Sequence, residues 1–316
     1  GIIEKLPYLA DLSVTAIYLN PIFESHSNHR YDTANYEKID PLLGDEADFR
    51  TLCAEAKKRG IYVMLDGVFN HTGRKSVYFN ADGFYDDLGA AQGEQSPYYR
   101  WYNFHPFPDE YDAWWGIKNL PAVNELEKSY VDYIIEGDNS IIKRWLRAGA
   151  SGWRLDVADE LPDEFIAKIR AAMNEENPDT YLLGEVWEDG TTKIAYSQRR
   201  RYLLGRETNG LMNYPFRTAL MAYLLGGGAE YFRDSMEELR ENYPAPAFYG
   251  AMNFLSTHDT PRLLTILGLT SPAPQTRDER AVYHLSDSDL ARGMSLLKLA
   301  ALILYTFPGS PMLYYG

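Results

Sequence analysis

Cysteine is almost absent from this sequence of 316 residues, which contains only Cys53. A single thiol cannot form a disulfide within the chain, so the redox compartment is left open. No run of about 18 apolar residues occurs, and no membrane span is predicted. The sequence also lacks an HExxH motif, a P-loop and a GxSxG motif. It therefore gives no indication of a zinc protease, a nucleotide phosphate site or a serine nucleophile.

Basic residues are outnumbered: 31 Lys and Arg stand against 45 Asp and Glu, which gives a net charge of −14. An acidic surface repels phosphate, so we expect no nucleic acid partner. Aromatic residues are abundant by contrast, with 25 Tyr and 6 Trp. Such rings fill large cores, but their flat apolar faces also match the C–H faces of pyranoses. The composition suits a neutral sugar as the ligand.

Short apolar runs alternate with amphipathic segments along most of the chain. This pattern is typical of a parallel sheet covered by helices, and we predict an α/β fold of the (β/α)8 TIM barrel type. The predicted strands cover residues 14–20, 61–68, 152–157, 181–186, 210–216, 252–256 and 311–315. Helices are predicted over residues 1–12, 45–59, 141–148, 162–174, 231–241 and 290–305.

Local signals support some elements more strongly than others. Asp45 is the predicted N-cap of the second helix. Apolar residues at helical spacing predict its buried face, which consists of Phe49, Leu52, Cys53 and Ala56. Residues 270–280 are predicted to be a surface loop, and the basic run 199–201 is interpreted as a solvated face.

The predicted strands number seven, whereas a barrel needs eight. Because the helix 1–12 leads directly into the strand 14–20, we expect the first barrel strand to be absent and the chain to be a segment of a longer enzyme. An open barrel leaves strand edges unpaired, so marginal stability is expected for the isolated segment.

Residues 71–130 break the alternation of strands and helices, and they are rich in Tyr, Trp, Gly, Asp and Pro. A loop of that length without structure of its own is uncommon in a compact domain. We therefore predict a small inserted subdomain over 71–130 after the third strand, with the catalytic barrel formed by 1–70 and 131–316. Trp114 and Trp115 lie in this insertion, and they either contact the ligand or anchor the insertion to the barrel.

Polar side chains follow the predicted strands, and active sites of parallel barrels lie at those strand ends. These side chains are Asn20, His29, Tyr31, Asp32, Asp66, Asn70, His71, Arg154, Asp156, Glu160, Glu185, Trp187, His258 and Asp259. A purely structural rim would favour Gly, Ser and Asn instead. Each carboxylate alone is more often a cap or an ion-pair partner, but their convergence on one rim favours catalysis.

The spacing of the residues suggests chemistry for two of these carboxylates. Strand side chains alternate, so Arg154 and Asp156 share a side, and the guanidinium is expected to lower the pKa of the carboxyl and keep it ionised. That state suits a nucleophile. Glu185 and Trp187 also share a side, and an indole that excludes water raises the pKa of a carboxyl, which suits a general acid. Two carboxyls tuned in opposite directions are the machinery of glycoside hydrolysis.

A metal centre is the alternative interpretation of this polar cluster. Zinc is not indicated, because paired cysteines are missing as well as HExxH. Calcium bound through oxygen ligands remains open, with Asn70 as the candidate ligand. No cofactor is expected to be required for the chemistry.

Several segments resemble the motifs of the α-amylase family of glycoside hydrolases (family 13). Four of them occur in the family's order: DGVFNH at 66–71, GWRLDVADE at 152–160, GEVW at 184–187 and FLSTHD at 254–259. A fifth, LPAVN at 120–124, falls in the inserted segment, and GSPMLYYG at 309–316 is similar to the closing strand. The resemblance covers nearly the whole chain.

The resemblance implies a retaining α-glucan hydrolase that works by double displacement. Asp156 would be the nucleophile, Glu185 the acid/base and Asp259 the stabiliser of the transition state. Arg154 would orient Asp156, and Asp66 would support Arg154. Further contacts with the sugar are implied for His29, Tyr31, His71, Trp187 and His258.

The finer resemblance is to the neopullulanase, cyclomaltodextrinase and maltogenic amylase group, through MNYPF at 212–216, DVADE at 156–160 and the insertion with its WWG segment. Asp159 and Glu160 stand where many α-amylases carry Lys-His, which argues against an ordinary starch-liquefying enzyme. The implied substrates are starch-related oligosaccharides, pullulan or cyclodextrins. A membrane partner is not expected, and an oligomer is open for the full-length protein.

Two alternatives to a hydrolase remain. A transglycosylase or an isomerase would use the same site, with a sugar instead of water attacking the intermediate. A non-catalytic barrel that binds glucans belongs to a different class, since fold does not dictate function. The presence of all three carboxylates argues against this second alternative.

Overall fold

The computed structural model describes residues 1–272, 274 and 276–315, which form two compact units. Unit 1 consists of residues 1–185 and 194–209, and unit 2 of residues 186–193 and 210–316. Gly316, the last residue of the motif at 309–316, and two residues of the predicted loop 270–280 lie outside the described residues. No helix within the described part of the chain is both long and apolar enough to cross a membrane.

Unit 1 is built around parallel strands with helices between them. Its elements are α1 (Ile2–Asp11), β1 (Ala16–Tyr18), β2 (Phe23–Ser25), β3 (Thr33–Ile39), α2 (Glu46–Lys57), β4 (Tyr62–Gly67), α3 (Lys128–Val131), α4 (Ile141–Arg147), β5 (Gly152–Leu155), α5 (Asp163–Glu176), β6 (Tyr181–Gly184), β7 (Ile194–Ala195) and β8 (Gln198–Arg199). A π-helical turn, Asp132–Glu136, follows α3 directly. Strands β1, β4, β5 and β6 pair in that order, all in parallel. The hairpins β2–β3 and β7–β8 are antiparallel.

Helix α2 forms where the local signals place it. The Asp45 carboxylate accepts a hydrogen bond from the Asp48 backbone N–H at 2.9 Å, and the Asp48 carboxylate accepts one from the Asp45 N–H at 3.2 Å. This reciprocal capping satisfies two N–H groups that the first turn leaves without helical partners. The prediction for its buried face is confirmed for all four residues, Phe49, Leu52, Cys53 and Ala56.

Strand register in the parallel sheet positions the polar residues. Asp66 on β4 stands opposite Arg154 on β5, and Leu155 stands opposite Gly184 on β6. Successive side chains of a strand point to opposite faces of the sheet. Trp153 and Leu155, which flank Arg154 on β5, therefore lie on the opposite face from Arg154, where they are fully buried. The sheet therefore provides apolar packing on one side and brings Asp66 and Arg154 together on the other.

The segment 71–130, all of which is described, contains little regular secondary structure. It has three short 3₁₀ turns (Ala90–Gln92, Tyr99–Trp101 and Trp114–Gly116), and α3 begins at Lys128. Isolated antiparallel bridges join residue 71 to 122, 104 to 111 and 113 to 121. Its own aromatic cluster supplies the packing, with the Phe79 ring 4.8 Å from that of Tyr102 and 4.7 Å from that of Tyr111. The division of the chain at 71 and 130 stays a prediction.

Unit 2 is mainly helical. Its elements are β9 (Gly210–Leu211), α6 (Tyr214–Leu224), α7 (Ala229–Asn242), α8 (Ala245–Gly250), β10 (Met252–Asn253), α9 (Leu263–Gly268), α10 (Arg277–Val282), α11 (Asp287–Thr306) and β11 (Ser310–Pro311). Strands β10 and β11 pair in parallel, and residue 212 bridges to residue 252 in the same direction. The predicted strands 252–256 and 311–315 are therefore two residues each, and the second begins one residue early.

The predicted strand 210–216 is wrong beyond Leu211. The Asn213 side chain accepts a hydrogen bond from the Phe216 backbone N–H at 3.0 Å and caps α6. Pro215 follows in the first turn of the helix, where its missing N–H costs nothing. An Asn two residues before a Pro was the signal for this helix start, and the apolar run around it concealed that signal.

Two surface predictions also need correction. Residues 277–280 of the predicted loop belong to α10, because the Thr276 side chain caps it and accepts from the Glu279 N–H. In the basic run 199–201, Arg199 and Arg201 are exposed as predicted, but Arg200 is buried. Its guanidinium contacts the Asp163 carboxylate at 2.5 Å.

Candidate active site

Asp66 lies at the carboxyl-terminal part of β4 and is fully buried. Its Oδ2 accepts hydrogen bonds from the Tyr18 hydroxyl at 2.7 Å and the Tyr31 hydroxyl at 2.9 Å. Burial raises the pKa of both phenols well above the usual range, so both hydroxyls remain protonated donors. Its Oδ1 accepts from Arg154 Nη1 at 2.8 Å. This is the supporting contact that was predicted for Asp66.

Arg154 connects three of the acids of unit 1 that the sequence singled out. The guanidinium is completely buried, and its nitrogens lie 2.8 Å from Asp66, 2.7 Å from Asp156 and 2.7 Å from Glu185. The contact with Glu185 was not predicted. The register contains the signal for it: Leu155 pairs with Gly184, so Asp156 and Glu185 each follow the last paired residue of adjacent parallel strands.

The charge balance at this cluster changes the expected ionisation of Asp156. Burial raises the pKa of the Asp156 carboxyl well above its usual range; the Arg154 guanidinium lowers it, and the charges of Asp66 and Glu185 raise it further. The prediction that Arg154 lowers the pKa of Asp156 is therefore wrong in net direction. The prediction considered one cation beside one acid, whereas the folded chain buries the Asp156 carboxyl and places three acids around the same guanidinium.

The backbone directly after Asp156 is strained. Val157 has φ 38°, in the left-handed region that a β-branched side chain rarely adopts. Its N–H donates to Glu185 Oε2 at 2.8 Å, and the Ala158 N–H donates to the Glu185 carbonyl at 3.1 Å. The turn thereby holds the Glu185 carboxylate beside Arg154, which is a role that the sequence did not reveal for Val157.

His71 is buried and follows β4 by four residues. Its Nε2 lies 2.9 Å from the Tyr31 carbonyl oxygen, which can only accept, so Nε2 carries the proton. Burial lowers the pKa of His71 to about 4, and the ring is neutral at pH 7. Nδ1 is thus an acceptor, buried and with no hydrogen-bond partner within the described part of the chain. Such an atom is suited to accept a hydrogen bond from a sugar hydroxyl.

His29 is exposed and adjoins the same group through Tyr31. Its Nδ1 accepts from the Tyr31 N–H at 3.1 Å, and the two rings stack with centroids 6.1 Å apart. Several of the predicted residues of unit 1 thus form one chain of contacts, from His29 through Tyr31 and Asp66 to the Arg154 cluster.

Trp187, His258 and Asp259 belong to unit 2. His258 Nε2 lies 3.2 Å from Asp259 Oδ2. The Trp187 ring is half exposed and stacks on Tyr214 with centroids 4.1 Å apart. The convergence of His258, Asp259 and Trp187 with the Arg154 cluster stays a prediction.

Asn70 does not by itself make a calcium site. Its Oδ1 is buried without a hydrogen-bond partner among the described residues, which is a feature that a bound cation would satisfy. Calcium takes six to eight oxygen ligands, however. The described residues contain no group of three or more His, Cys, Asp or Glu placed to hold a metal ion. The donor set present does not fit the ion, and no step of the chemistry below uses one.

Known proteins match the chain over its whole length. The family model of the alpha-amylase catalytic domain matches residues 1–316. An amylopullulanase of Thermoanaerobacter thermohydrosulfuricus is 40% identical over 349 residues, which cover 100% of this chain and 22% of that protein. A cyclomaltodextrinase of Geobacillus thermopakistaniensis (strain MAS1) is 35% identical over 325 residues, which cover 100% of this chain and 48% of that protein. The chain thus spans between about a fifth and a half of the length of these relatives.

A solved structure, the ligand-free cyclic α-maltosyl-(1→6)-maltose hydrolase of Arthrobacter globiformis, matches with a TM-score of 0.83. It is 28% identical, and the match covers 100% of this chain and 64% of that one. Together with the family model it implies the (β/α)8 barrel class that the sequence predicted. The predicted enzyme class is confirmed by relatives named as glycoside hydrolases, and the resemblance to cyclomaltodextrinases is confirmed as well. The chain belongs to the alpha-amylase family, and the part of the family that it matches is the catalytic domain.

Proposed function

We propose that this domain hydrolyses α-glucosidic bonds in starch-related glucans with retention of configuration. Asp156 is the nucleophile and Glu185 is the general acid/base. The observation that carries the proposal is the arrangement of both carboxylates on one buried guanidinium, each 2.7 Å from an Arg154 nitrogen.

The charge balance of the free site supports this assignment. Three buried acids share one guanidinium, and burial together with the neighbouring acids raises the pKa of the Asp156 carboxyl, which favours a proton held within the cluster. Strongly interacting carboxyls titrate as a coupled unit. One shared proton leaves Asp156 ionised for attack when Glu185 holds the proton for the leaving group. Retention of the anomeric configuration requires the carboxyl groups of Asp156 and Glu185 to be about 5–5.5 Å apart.

The reaction proceeds in two displacements. An oxygen of Asp156 attacks the anomeric carbon and forms a glycosyl ester, while the bond from that carbon to the glycosidic oxygen breaks. The leaving oxygen takes the proton of Glu185. Water then gives a proton back to Glu185, its oxygen bonds to the anomeric carbon, and Asp156 departs as a carboxylate. Asp259, assigned through its motif, stabilises the positive charge that develops on the sugar.

The other residues bind and position. Arg154 fixes both carboxylates, and Asp66 fixes Arg154 through the contact at 2.8 Å. His71 accepts a sugar hydroxyl at its unoccupied Nδ1, while His29 and Tyr31 line the adjoining surface. His258 and Trp187 contact the sugar from the segments assigned by motif. The insertion 71–130 contributes to the site through His71, which contacts Tyr31 and on which Trp114 stacks with centroids 5.4 Å apart.

Single substitutions test the two carboxyls. Asp156→Asn and Glu185→Gln in the full-length enzyme are each expected to lower kcat on a maltooligosaccharide by at least about 10³-fold. Glu185→Gln is expected to lose far less on an aryl glucoside with an acidic phenol, because that leaving group needs no proton. Glu164→Gln, on the exposed side of α5, is the control and should keep full activity.

Two outcomes would contradict the mechanism. Proton NMR of the first product should show the α anomer, so initial release of the β anomer would exclude double displacement. Equal losses for Glu185→Gln on both kinds of substrate would exclude it as the general acid.

Substrates are inferred from the relatives, which are named amylopullulanase, cyclomaltodextrinase and cyclic α-maltosyl-(1→6)-maltose hydrolase. We expect pullulan and cyclodextrins to be cleaved as well as soluble starch. Incubation with each, followed by chromatography of the sugars, tests this expectation. Products longer than the substrate from maltotriose would instead indicate a transglycosylase, the second candidate that the same site supports.

A further inference from the structure

Two exposed aromatic side chains in unit 1 share one carboxylate. Trp115 is 78% exposed and Tyr196 is 72% exposed. The Trp115 indole N–H donates to Glu160 Oε1 at 3.2 Å, and the Tyr196 hydroxyl donates to Glu160 Oε2. Trp115 comes from the insertion and Tyr196 from the turn of the β7–β8 hairpin, so Glu160 joins two segments that are remote in sequence.

Both aromatic residues adopt strained backbone conformations. Trp115 has φ 49° and Tyr196 has φ 52°, in the left-handed region, which costs a bulky residue roughly 1–3 kcal/mol. Neither ring recovers that energy by burial, because both are largely in contact with water. The two-residue turn of the hairpin requires a positive φ at residue 196, but Gly or Asn meets that requirement at lower cost than Tyr. Packing therefore does not explain the choice of a large exposed ring at either position, and such strain is concentrated at binding sites.

The pair is continuous with the candidate active site. Trp115 stacks on Trp114 with centroids 5.2 Å apart, and Trp114 stacks on His71 at 5.4 Å. The two tryptophans thus differ in exposure. Trp114 is half-buried against His71, whereas Trp115 stacks on the other side of Trp114 and is exposed.

Neighbouring contacts fix the platform. Arg200 follows the hairpin, and its Nη1 donates to the Asp159 carbonyl at 2.9 Å, one residue before Glu160. The hairpin that carries Tyr196 is thereby tied to the segment that carries Glu160. Burial, aided by the charge of Glu160, raises the pKa of the Glu125 carboxyl to about 8. Glu125 is therefore neutral at pH 7 and adds no second anion beside Glu160.

We propose that Trp115 and Tyr196 form a platform that binds a glucosyl unit of the α-glucan chain beyond the bond that is cleaved. This inference rests on the proposed function. The polar edges of both rings contact Glu160, and the exposed apolar surface of Tyr196 and of the Trp115 face turned away from Trp114 can pack against the C–H face of a pyranose. Glu160 is a positioning residue that fixes both rings.

The test compares chain lengths in the full-length enzyme. Trp115→Ala and Tyr196→Ala should each raise KM for maltohexaose by about 3- to 10-fold, with kcat changed less than about twofold. An aryl glucoside, which occupies only the position at the cleaved bond, should keep its KM. Tyr8→Ala, at an aromatic on α1 that is 60% exposed, is the control and should change neither value.

Glu160→Ala tests the positioning role. It should raise KM for maltohexaose as Trp115→Ala does, and the double variant should lose little more than either single variant, because the residues act as a unit. Additive losses would overturn the positioning role. Thermal unfolding distinguishes a merely structural role, since variants at the exposed rings should melt as the parent does.

Calorimetric titration measures the affinity for maltohexaose independently of hydrolysis. It is applied to the parent, to Trp115→Ala and to Tyr8→Ala. Weaker binding only in Trp115→Ala supports the platform even if the parent hydrolyses no glucan, in which case the proposed function alone fails. An affinity for maltohexaose that is unchanged in Trp115→Ala and in Tyr196→Ala would overturn the platform.

Discussion

Arg154 organises the candidate site as a single side chain. It is buried between Asp66, Asp156 and Glu185, and its planar guanidinium has enough donors in fixed directions to contact all three. Lysine carries the same charge but presents it as a point, so it cannot hold two carboxylates in a defined relation. The chemistry at this site depends on that geometry as much as on the charge.

His71 gives a prediction at the same scale. Its pKa is about 4 in the folded chain and 6.5 in the unfolded chain, so between these values the unfolded state binds more protons. The free energy of unfolding should therefore rise with pH from about 4 to about 6.5, by roughly 3 kcal/mol from this group, and the gain should be fully present above that range.

Urea unfolding at several pH values measures this dependence. His71→Asn removes the titrating group, and its curve should be flatter than that of the parent across the same window. Identical slopes in the two proteins would contradict a buried neutral His71.

At the scale of elements, the β7–β8 hairpin depends on Arg200. Its Nε contacts Asp163 Oδ1 at 2.5 Å on α5, whereas the neighbouring Arg201 contacts Asp163 Oδ2 at 3.2 Å from an exposed position. Arg200→Met leaves the buried Asp163 carboxylate without its close partner, and we expect a loss of about 3–5 kcal/mol in the free energy of unfolding.

Arg201→Met is the matched control, because it removes the exposed cation that contacts the same carboxylate. Its expected cost is about 0–1 kcal/mol. Chemical denaturation of both variants measures the difference. Equal losses would mean that burial of Arg200 has no energetic consequence.

At the scale of the whole molecule, the chain carries a net charge of −14, and an uncharged glucan offers no opposite charge for it to attract. Long-range attraction does not contribute to the binding of a neutral ligand, whereas an anionic ligand would be repelled and a cationic one attracted. KM for maltohexaose should therefore change less than about twofold when ionic strength rises from about 0.01 M to 0.15 M, although the Debye length falls from about 30 Å to 8 Å. A steep dependence in initial-rate measurements would contradict a substrate without charge.

Features governed by neighbours in sequence were accessible from the sequence alone. The cap of α2 by Asp45 and its buried face depend on spacings of three to four residues, and both were predicted correctly. The barrel class followed from the alternation of apolar runs and amphipathic segments, and the family followed from the order of short motifs along the chain. Even the missed start of α6 at Asn213 left a local signal in the Pro that follows.

Other properties depended on contacts between distant residues. Arg154 meets Asp66 across 88 residues of sequence, and the contact of Arg154 with Glu185 follows from strand register. The direction of the pKa shift at Asp156, the burial of Arg200 and the shared carboxylate of Trp115 and Tyr196 are of the same kind. The sequence by itself determined which chemical groups are available and which local elements carry them. Only the tertiary structure decided their ionisation and their partners, because desolvation and charge interactions depend on distances that no local pattern encodes.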